Sequence, residues 1–218
     1  RDGARPVDVL GLANAPEDSR LHWLPRDLPP VPVEVVATGP KALALAGAEA
    51  DRVVLAVGAD PERVASAAGV ARGAGAERIG AFVNVVCHPD MATARRIGAG
   101  GFATFARFSA MDGTVRSPID ATSERVLHDV HDSYDMNQHT RAGSPQAAQL
   151  TPEFVDRFGI VGPADHCVGR LRELVALGVD RFIVVGPSMD AEQDEARLAQ
   201  KMFVGEVLPA IREVSDAP

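Results

Sequence analysis

The sequence predicts a parallel α/β fold built from repeated strand–helix units. Three observations carry this. Short runs rich in Val and Ile recur at Val33–Ala37, Arg52–Val57, Ile79–Val86 and Arg181–Val185. Helix-forming stretches separate them, so successive strands run the same way through right-handed crossovers. The second run, Val53-Val-Leu-Ala-Val57, is apolar without alternation, as strands covered on both faces are. Such an order suits either a doubly wound sheet or part of a (β/α)8 barrel. A whole barrel takes about 250 residues, and the chain has 218.

Each element has a local cause. Residues 1–32 are rich in Pro, Asp and Arg, and Pro25, Pro29, Pro30 and Pro32 forbid a long helix. They read as an arm or loop, anchored by Leu21, Trp23 and Leu24, that leads into a second region, 33–218. After the first strand, Gly39-Pro40 opens an Ala- and Leu-rich helix to Ala50. Asp60-Pro61-Glu62 supplies an N-cap, a proline at N1 and an acid in the first turn of the next helix. Gly73 and Gly75 end it near Arg72. Pro89-Asp90 opens a helix through Ile97, which the cluster Gly98–Gly101 is expected to loosen. Residues 109–150 are polar and broken, and read as an insertion. Thr151-Pro152-Glu153 starts a short helix. A longer one starts at Gly162-Pro163, with Leu171, Leu174, Val175 and Leu177 on its apolar face and Gly178 at its end. Residues 190–213 form a last amphipathic helix.

Composition excludes several function classes. A net charge of −8 with no basic stripe argues against nucleic-acid binding. No apolar run approaches the roughly 20 residues of a membrane span, so no membrane partner is expected. Two cysteines, Cys87 and Cys167, make no disulfide framework, which points to a reduced, cytoplasmic setting. Serine-hydrolase, zinc-protease and P-loop motifs are missing, as is G-x-G-x-x-G around Gly98, Gly100 and Gly101. The chain opens Arg1-Asp-Gly-Ala-Arg5 without an initiator Met, and reads as the middle of a longer protein.

Ligands of such folds gather at the C-terminal ends of the strands. Those ends are Thr38-Gly39, Gly58-Ala59-Asp60, Cys87-His88-Pro89 and Gly186-Pro187-Ser188. The first is the leading candidate. A strand that turns at Gly39 into a helix opening at Pro40 gathers free backbone N–H groups and a positive helix end at one point, a cradle for an anion. The cradle is expected over Ala37, Thr38, Gly39 and Pro40, with Lys41 either touching the anion or solvating the helix. Asn84, His88, Gly186 and Ser188 are candidates for a substrate pocket. Strand parity leaves open which way Asn84 points. His88 reads as a substrate contact, an acid–base group or a plain loop histidine. Cys87 reads as a small core residue. His128 and His131 share a helix face, with His139 nearby, but the polar setting favours a solvated helix over a metal site. Arg107 and Arg116 read as surface ion-pair formers. Phe102, Phe105 and Phe108 read as core.

An ordered set of segments carries a family resemblance. It comprises Val36-Ala-Thr-Gly-Pro-Lys41, Ala50-Asp-Arg-Val53, Phe158-Gly-Ile-Val-Gly-Pro163 and Leu177-Gly-Val-Asp-Arg-Phe-Ile-Val-Val-Gly186. Together they resemble the bacterial-luciferase-like superfamily of flavin and deazaflavin oxidoreductases. The nearest branch is that of the coenzyme F420-dependent methylenetetrahydromethanopterin reductases. The resemblance covers Pro32 to Pro218. It implies a (β/α)8 TIM barrel whose fifth to eighth strands are those read here, a deazaflavin at the strand ends, and a cofactor phosphate at Ala37–Pro40. It also implies a small organic substrate, hydride transfer and a homodimer. FMN-dependent monooxygenases share the fold, so FMN is the alternative cofactor. The earlier strands, which hold most ring contacts and the acid–base groups in that family, have no counterpart, so the catalytic residues are unknown. A half barrel exposes two unpaired edges, which keeps a non-catalytic module binding a flavin or a partner chain as a third possibility.

Overall fold

The computed structural model of the protein describes residues 23, 25 and 27–215. The chain divides into Arg1–Pro32 and Val33–Pro218, and every element below belongs to the second unit. In the first, Trp23 is exposed instead of anchoring the arm, and Leu21 and Leu24 lie outside the described residues.

The strands are β1 (Glu34–Ala37), β2 (Arg52–Leu55), β3 (Ile79–Cys87), β4 (Ile160–Gly162) and β5 (Arg181–Val185). The helices are α1 (Pro40–Glu49), α2 (Pro61–Gly73), α3 (Met91–Ser109), α4 (Ala121–Asp132), α5 (Pro152–Phe158), α6 (Ala164–Ala176), α7 (Gln193–Met202) and α8 (Leu208–Ser215). Every strand pairing is parallel. The central strand β3 takes β2 on one edge and β5 on the other, through Ile79–Ala81 and Gly80–Asn84 respectively. Its last residues, Val85–Cys87, pair with β4. The Ala59 N–H donates to the Phe158 carbonyl at 2.7 Å, so β4 also sits beside the run that follows β2.

The sheet is curled as part of a barrel is. Glu34 on β1 bonds Arg181 on β5 at 2.6 Å although β2 and β3 lie between them. Three flat strand spacings would hold those edges roughly 14 Å apart. Arg52, buried between them, donates to Glu34 at 3.1 Å and to Asp180, making an ionic layer across the N-terminal ends of β1, β2 and β5. Among the described residues β1 and β5 each have one strand partner, leaving two open edges.

Residue parity along β3 separates the two faces. Ile79, Ala81, Val83, Val85 and Cys87 enter the main core with Leu43 of α1, Val64 and Ala68 of α2, and Leu171 and Leu174 of α6. Phe82, Asn84 and Val86 point the other way, to α3. There Phe82 meets the Phe105 ring edge-on at 4.7 Å between centroids, and Val86 packs with Ile97 and Phe102.

The caps fall where the sequence places them. Asp60 accepts from the Glu62 and Arg63 N–H groups at 2.9 and 3.3 Å, with Pro61 at N1. Thr151 caps α5 through Phe154 at 3.2 Å. Gly178, at φ +84°, closes α6 with paired bonds from its own N–H and that of Val179 to Val175 and Leu174.

Three expectations change. Ile160–Gly162 is a strand that sequence pattern does not signal. The last helix is three pieces, α7 and α8 joined by a π-helical turn at Phe203–Val207. Most important, Gly98–Gly101 does not loosen α3, which runs unbroken from Met91 to Ser109. The glycines are there for close approach. A Cβ on Gly101 would stand 2.8 Å from Asn84 Nδ2, and one on Gly100 would collide with the Thr140 carbonyl. They let α3 cross the strand ends, from Ser188 after β5, over Asn84 and Phe82 on β3, to Arg63 at the start of α2.

Candidate functional site

The α3 crossing leaves two cavities at the C-terminal ends of the strands. The one over β1 has a volume of about 390 Å³. One wall is Val36 to Gly39 with Ala42, and the other is Phe108, Ser109 and the loop to Ser117. The Thr38 hydroxyl donates to the Ala56 carbonyl at 3.2 Å and pins the turn to the end of β2. Gly39 is the N-cap of α1 and contributes no side-chain bond, while its carbonyl accepts from Leu43. The first-turn N–H groups of Lys41 and Ala42 therefore stand without an intrahelical acceptor. A Cβ on Gly39 would meet nothing within 4 Å, so the space in front of the helix is open. Pro40 at N1 and the exposed Lys41 line no part of the cavity.

The opposite wall is polar and backed by a buried cation. Ser109 ends α3 and is 8% exposed; its Oγ accepts from Arg63 Nη2 at 2.8 Å. Arg63 is 1% exposed and gives Nε–H to the Val57 carbonyl at 2.9 Å, yet its Nη1 has no partner. Burial pushes its pKa down to about 10, against the pull of nearby Asp60. At the rim, Arg116 makes a two-pronged pair with Asp112 at 2.7 and 2.9 Å, which holds the Asp112 carboxyl below its ordinary value. Arg116 thus faces the cavity with its charge already answered. Neither Arg63 nor Ser109 was legible in sequence. An arginine in the first turn of a helix normally reads as solvated, and nothing local marks its burial.

The second cavity, about 630 Å³, lies between the end of β5 and α7. Gly186 and Ser188 line it, together with Ala196, Gln200, Phe203 and Val204. Ser188 is also tied to α3, donating its N–H to the Ile97 carbonyl at 2.7 Å and accepting from Gly100 N–H at 2.9 Å.

Asn84 and His88 line neither cavity. Asn84 is 3% exposed on the face beneath α3, and its Nδ2 is without a partner. His88 is buried at the end of β3, with Nε2 2.7 Å from the Glu195 carboxylate on α7 and Nδ1 3.0 Å from the Asp90 N–H. With Nδ1 accepting, Nε2 carries the proton and donates it to Glu195. This geometry clamps β3 to α7. His88→Ala is expected to lower stability by about 2 kcal/mol, because it strips two polar groups of their partner. Urea denaturation of the variant measures it, and an unchanged midpoint would refute the clamp.

The remaining candidates resolve into packing. Cys87 and Cys167 are buried free thiols, and the Cys167 thiol donates to the Gly162 carbonyl at 3.3 Å. The mutual influence of the two thiols draws Cys87 below its ordinary value and, with burial, pushes Cys167 well up. His131 meets Arg107, His139 bonds the Tyr134 hydroxyl at 2.7 Å, and His128 lies 3.8 Å from Glu124. No group suited to a metal ion occurs among the described residues. Phe102 and Phe105 are core, whereas Phe108 is half-buried and forms a wall of the β1 cavity.

Comparison with known proteins places this arrangement. No curated protein matches the chain in sequence. Among solved structures, the chain is similar to the coenzyme F420-dependent tetrahydromethanopterin reductase from Methanopyrus kandleri. The TM-score is 0.57 at 21% identity, over 83% of this chain and 51% of that one. It is also similar to an F420-dependent secondary alcohol dehydrogenase in complex with an F420–acetone adduct, with TM-score 0.57 and 18% identity over 90% and 53% of the two chains. The chain spans about half the length of each, and at these identities the likeness is one of fold. Among the described residues no helix is long and apolar enough to cross a membrane. The family described as luciferase-like monooxygenase matches residues 5–181, and the chain belongs to that family.

Proposed function

We propose that this chain is the cofactor-gripping half of an oxidoreductase that moves a hydride between coenzyme F420 and a small organic substrate. The observation that carries the reading is the cavity over β1. There the open N-terminus of α1, with two unbonded N–H groups, faces a serine backed by a buried arginine. That donor set suits a phosphate. The opening in front of Gly39 leaves room for it.

In this reading Thr38 fixes the turn, Gly39 and the first turn of α1 hold the phosphate side, and Phe108 walls the cavity. The deazaflavin supplies the hydride chemistry when bound; the protein orients it and keeps water away. The β5 cavity, lined by Gly186 and Ser188, would border the substrate. The further strands of the barrel, or a second subunit of a homodimer, would add at the open edges of β1 and β5. A cytoplasmic setting accords with two free thiols.

A second reading has its own support. Asn84 and His88 are sequestered beneath α3 and against α7, so no acid–base side chain from the sequence candidates faces either cavity. A module that binds a flavin or a partner chain without catalysis would look the same. FMN in place of F420 uses the same cradle.

Absorption and fluorescence titration of the purified chain with F420 and with FMN tests these readings. Tighter binding of F420 is the expected result. Binding of FMN alone would turn the assignment to a flavin monooxygenase. Binding of neither would overturn the cofactor role.

A further inference from the structure

Among the described residues Arg63 is the largest fully buried side chain, and no carboxylate there pairs with it directly. Asp60, its nearest acid, is committed elsewhere. One oxygen caps the Glu62 and Arg63 N–H groups and the other pairs with Arg157, which is itself held by Glu62 at 3.1 Å and Asp120 at 3.2 Å. The Arg63 guanidinium meets instead a carbonyl, the Ser109 hydroxyl and the Phe158 ring, whose centroid is 5.8 Å from Cζ. A buried cation with neutral partners is costly to keep unless negative charge arrives nearby. Of these contacts Ser109 is the one that lines the β1 cavity; Arg63 and the Phe158 ring border only a separate cleft of about 10 Å³, too small for an anion.

The direction of that bond matters. Ser109 Oγ accepts from Arg63, and among the described residues its own proton finds no acceptor. A serine near a helix end commonly spends that proton on the carbonyl four residues back, as Thr104 does here on Gly100 at 2.9 Å. Ser109 does not. We propose that Arg63 is the buried counter-charge of a phosphoryl group in the β1 cavity and acts through Ser109, whose hydroxyl it turns to donate to a phosphoryl oxygen opposite the N-terminus of α1. Ser109 is then a binding residue and Arg63 a positioning residue. The pair selects for phosphate-bearing flavins or deazaflavins over the same chromophores without phosphate. This inference rests on the reading of the cavity as a phosphate site.

The test is the affinity ratio of FMN to riboflavin, and of F420 to its phosphate-free chromophore, in the full chain. Ser109→Ala is expected to weaken FMN and F420 about tenfold, as loss of a hydrogen bond to a charged group does, and to leave the phosphate-free ligands unchanged. Ser109→Thr, which keeps a hydroxyl, restores most of the loss. Arg63→Met gives a similar loss that does not add to that of Ser109→Ala. Should Arg63→Met fail to fold, the two Ser109 variants decide. Equal affinities in wild type and Ser109→Ala, with Gly39→Asp still abolishing binding, would overturn this inference and leave the proposed function standing. Should wild type bind no chromophore, inorganic phosphate decides: a rise in melting temperature that Ser109→Ala abolishes supports the phosphoryl site without the cofactor, and no difference between the two proteins overturns it.

Discussion

Gly39→Asp is expected to weaken binding of a phosphate-bearing cofactor by about 100-fold or more while leaving the protein slightly more stable. The two effects have one cause. Gly39 sits at φ −84° and ψ 154°, an N-cap conformation open to any L-residue, and a Cβ there touches nothing within 4 Å. An aspartate at this position folds without strain and accepts hydrogen bonds from the first-turn N–H groups of α1. Against a glycine cap that gains a few tenths of a kcal/mol, with a similar gain from the helix dipole. The donors it takes are those the phosphate would use, and its charge stands where the anion would lie. At about 4 Å in a partly solvated site, two like charges repel by about 4 kcal/mol. Gly39→Ala separates the contributions, since it fills the same space without charge and should bind nearly as wild type does. A melting curve beside a fluorescence titration measures both. An unchanged dissociation constant in Gly39→Asp would remove the cradle from any account of function, whatever the melting temperature does.

Much of this fold could be read from the chain because its signals are local. The capped starts at Asp60-Pro61 and Thr151-Pro152, the close at Gly178 and the strand Arg181–Val185 each depend on neighbours within a few residues. Their physics is therefore visible in one window of sequence. The site is legible to the same extent. Gly39-Pro40 advertises an open helix end because both residues act on the adjacent backbone. What was hidden is what depends on distant chain. Three residues, Ile160–Gly162, are too few to show a period, and they become a strand only because β3 offers Val85–Cys87. Arg63 is buried against Ser109, 46 positions on, and against the Phe158 ring. Asn84 is turned from any pocket by the parity of β3, which in a strand buried on both faces leaves no trace in the pattern of polarity. His88 finds its partner 107 residues away.

The glycines of α3 show most sharply how tertiary contact reverses a local rule, and one pair of substitutions exposes the reversal. In a solvated helix Gly→Ala gains about 1 kcal/mol. Gly169 on α6 is such a position: it is exposed and a Cβ there meets nothing within 4 Å, so Gly169→Ala should stabilise the protein by up to about 1 kcal/mol. Gly100→Ala should do the opposite, with a net loss of about 2 kcal/mol or more after the helical gain. Its Cβ would strike the Thr140 carbonyl and the backbone carbon of Arg141, and backbone cannot swing aside as a side chain can. Thr140 is already held at φ 64°, a left-handed conformation that leaves the loop few ways to retreat. Nor can α3 back away cheaply, because Gly100 N–H is bonded to Ser188 and the adjacent Gly101 lies against Asn84. Guanidinium denaturation of the two variants gives the signs directly, and a stabilising Gly100→Ala would mean that α3 does not lie on the 140 loop as described. Because α3 carries Phe108 and Ser109 at its far end, a shift forced at Gly100 should also reach the β1 cavity and weaken cofactor binding there, whereas Gly169→Ala should leave it untouched.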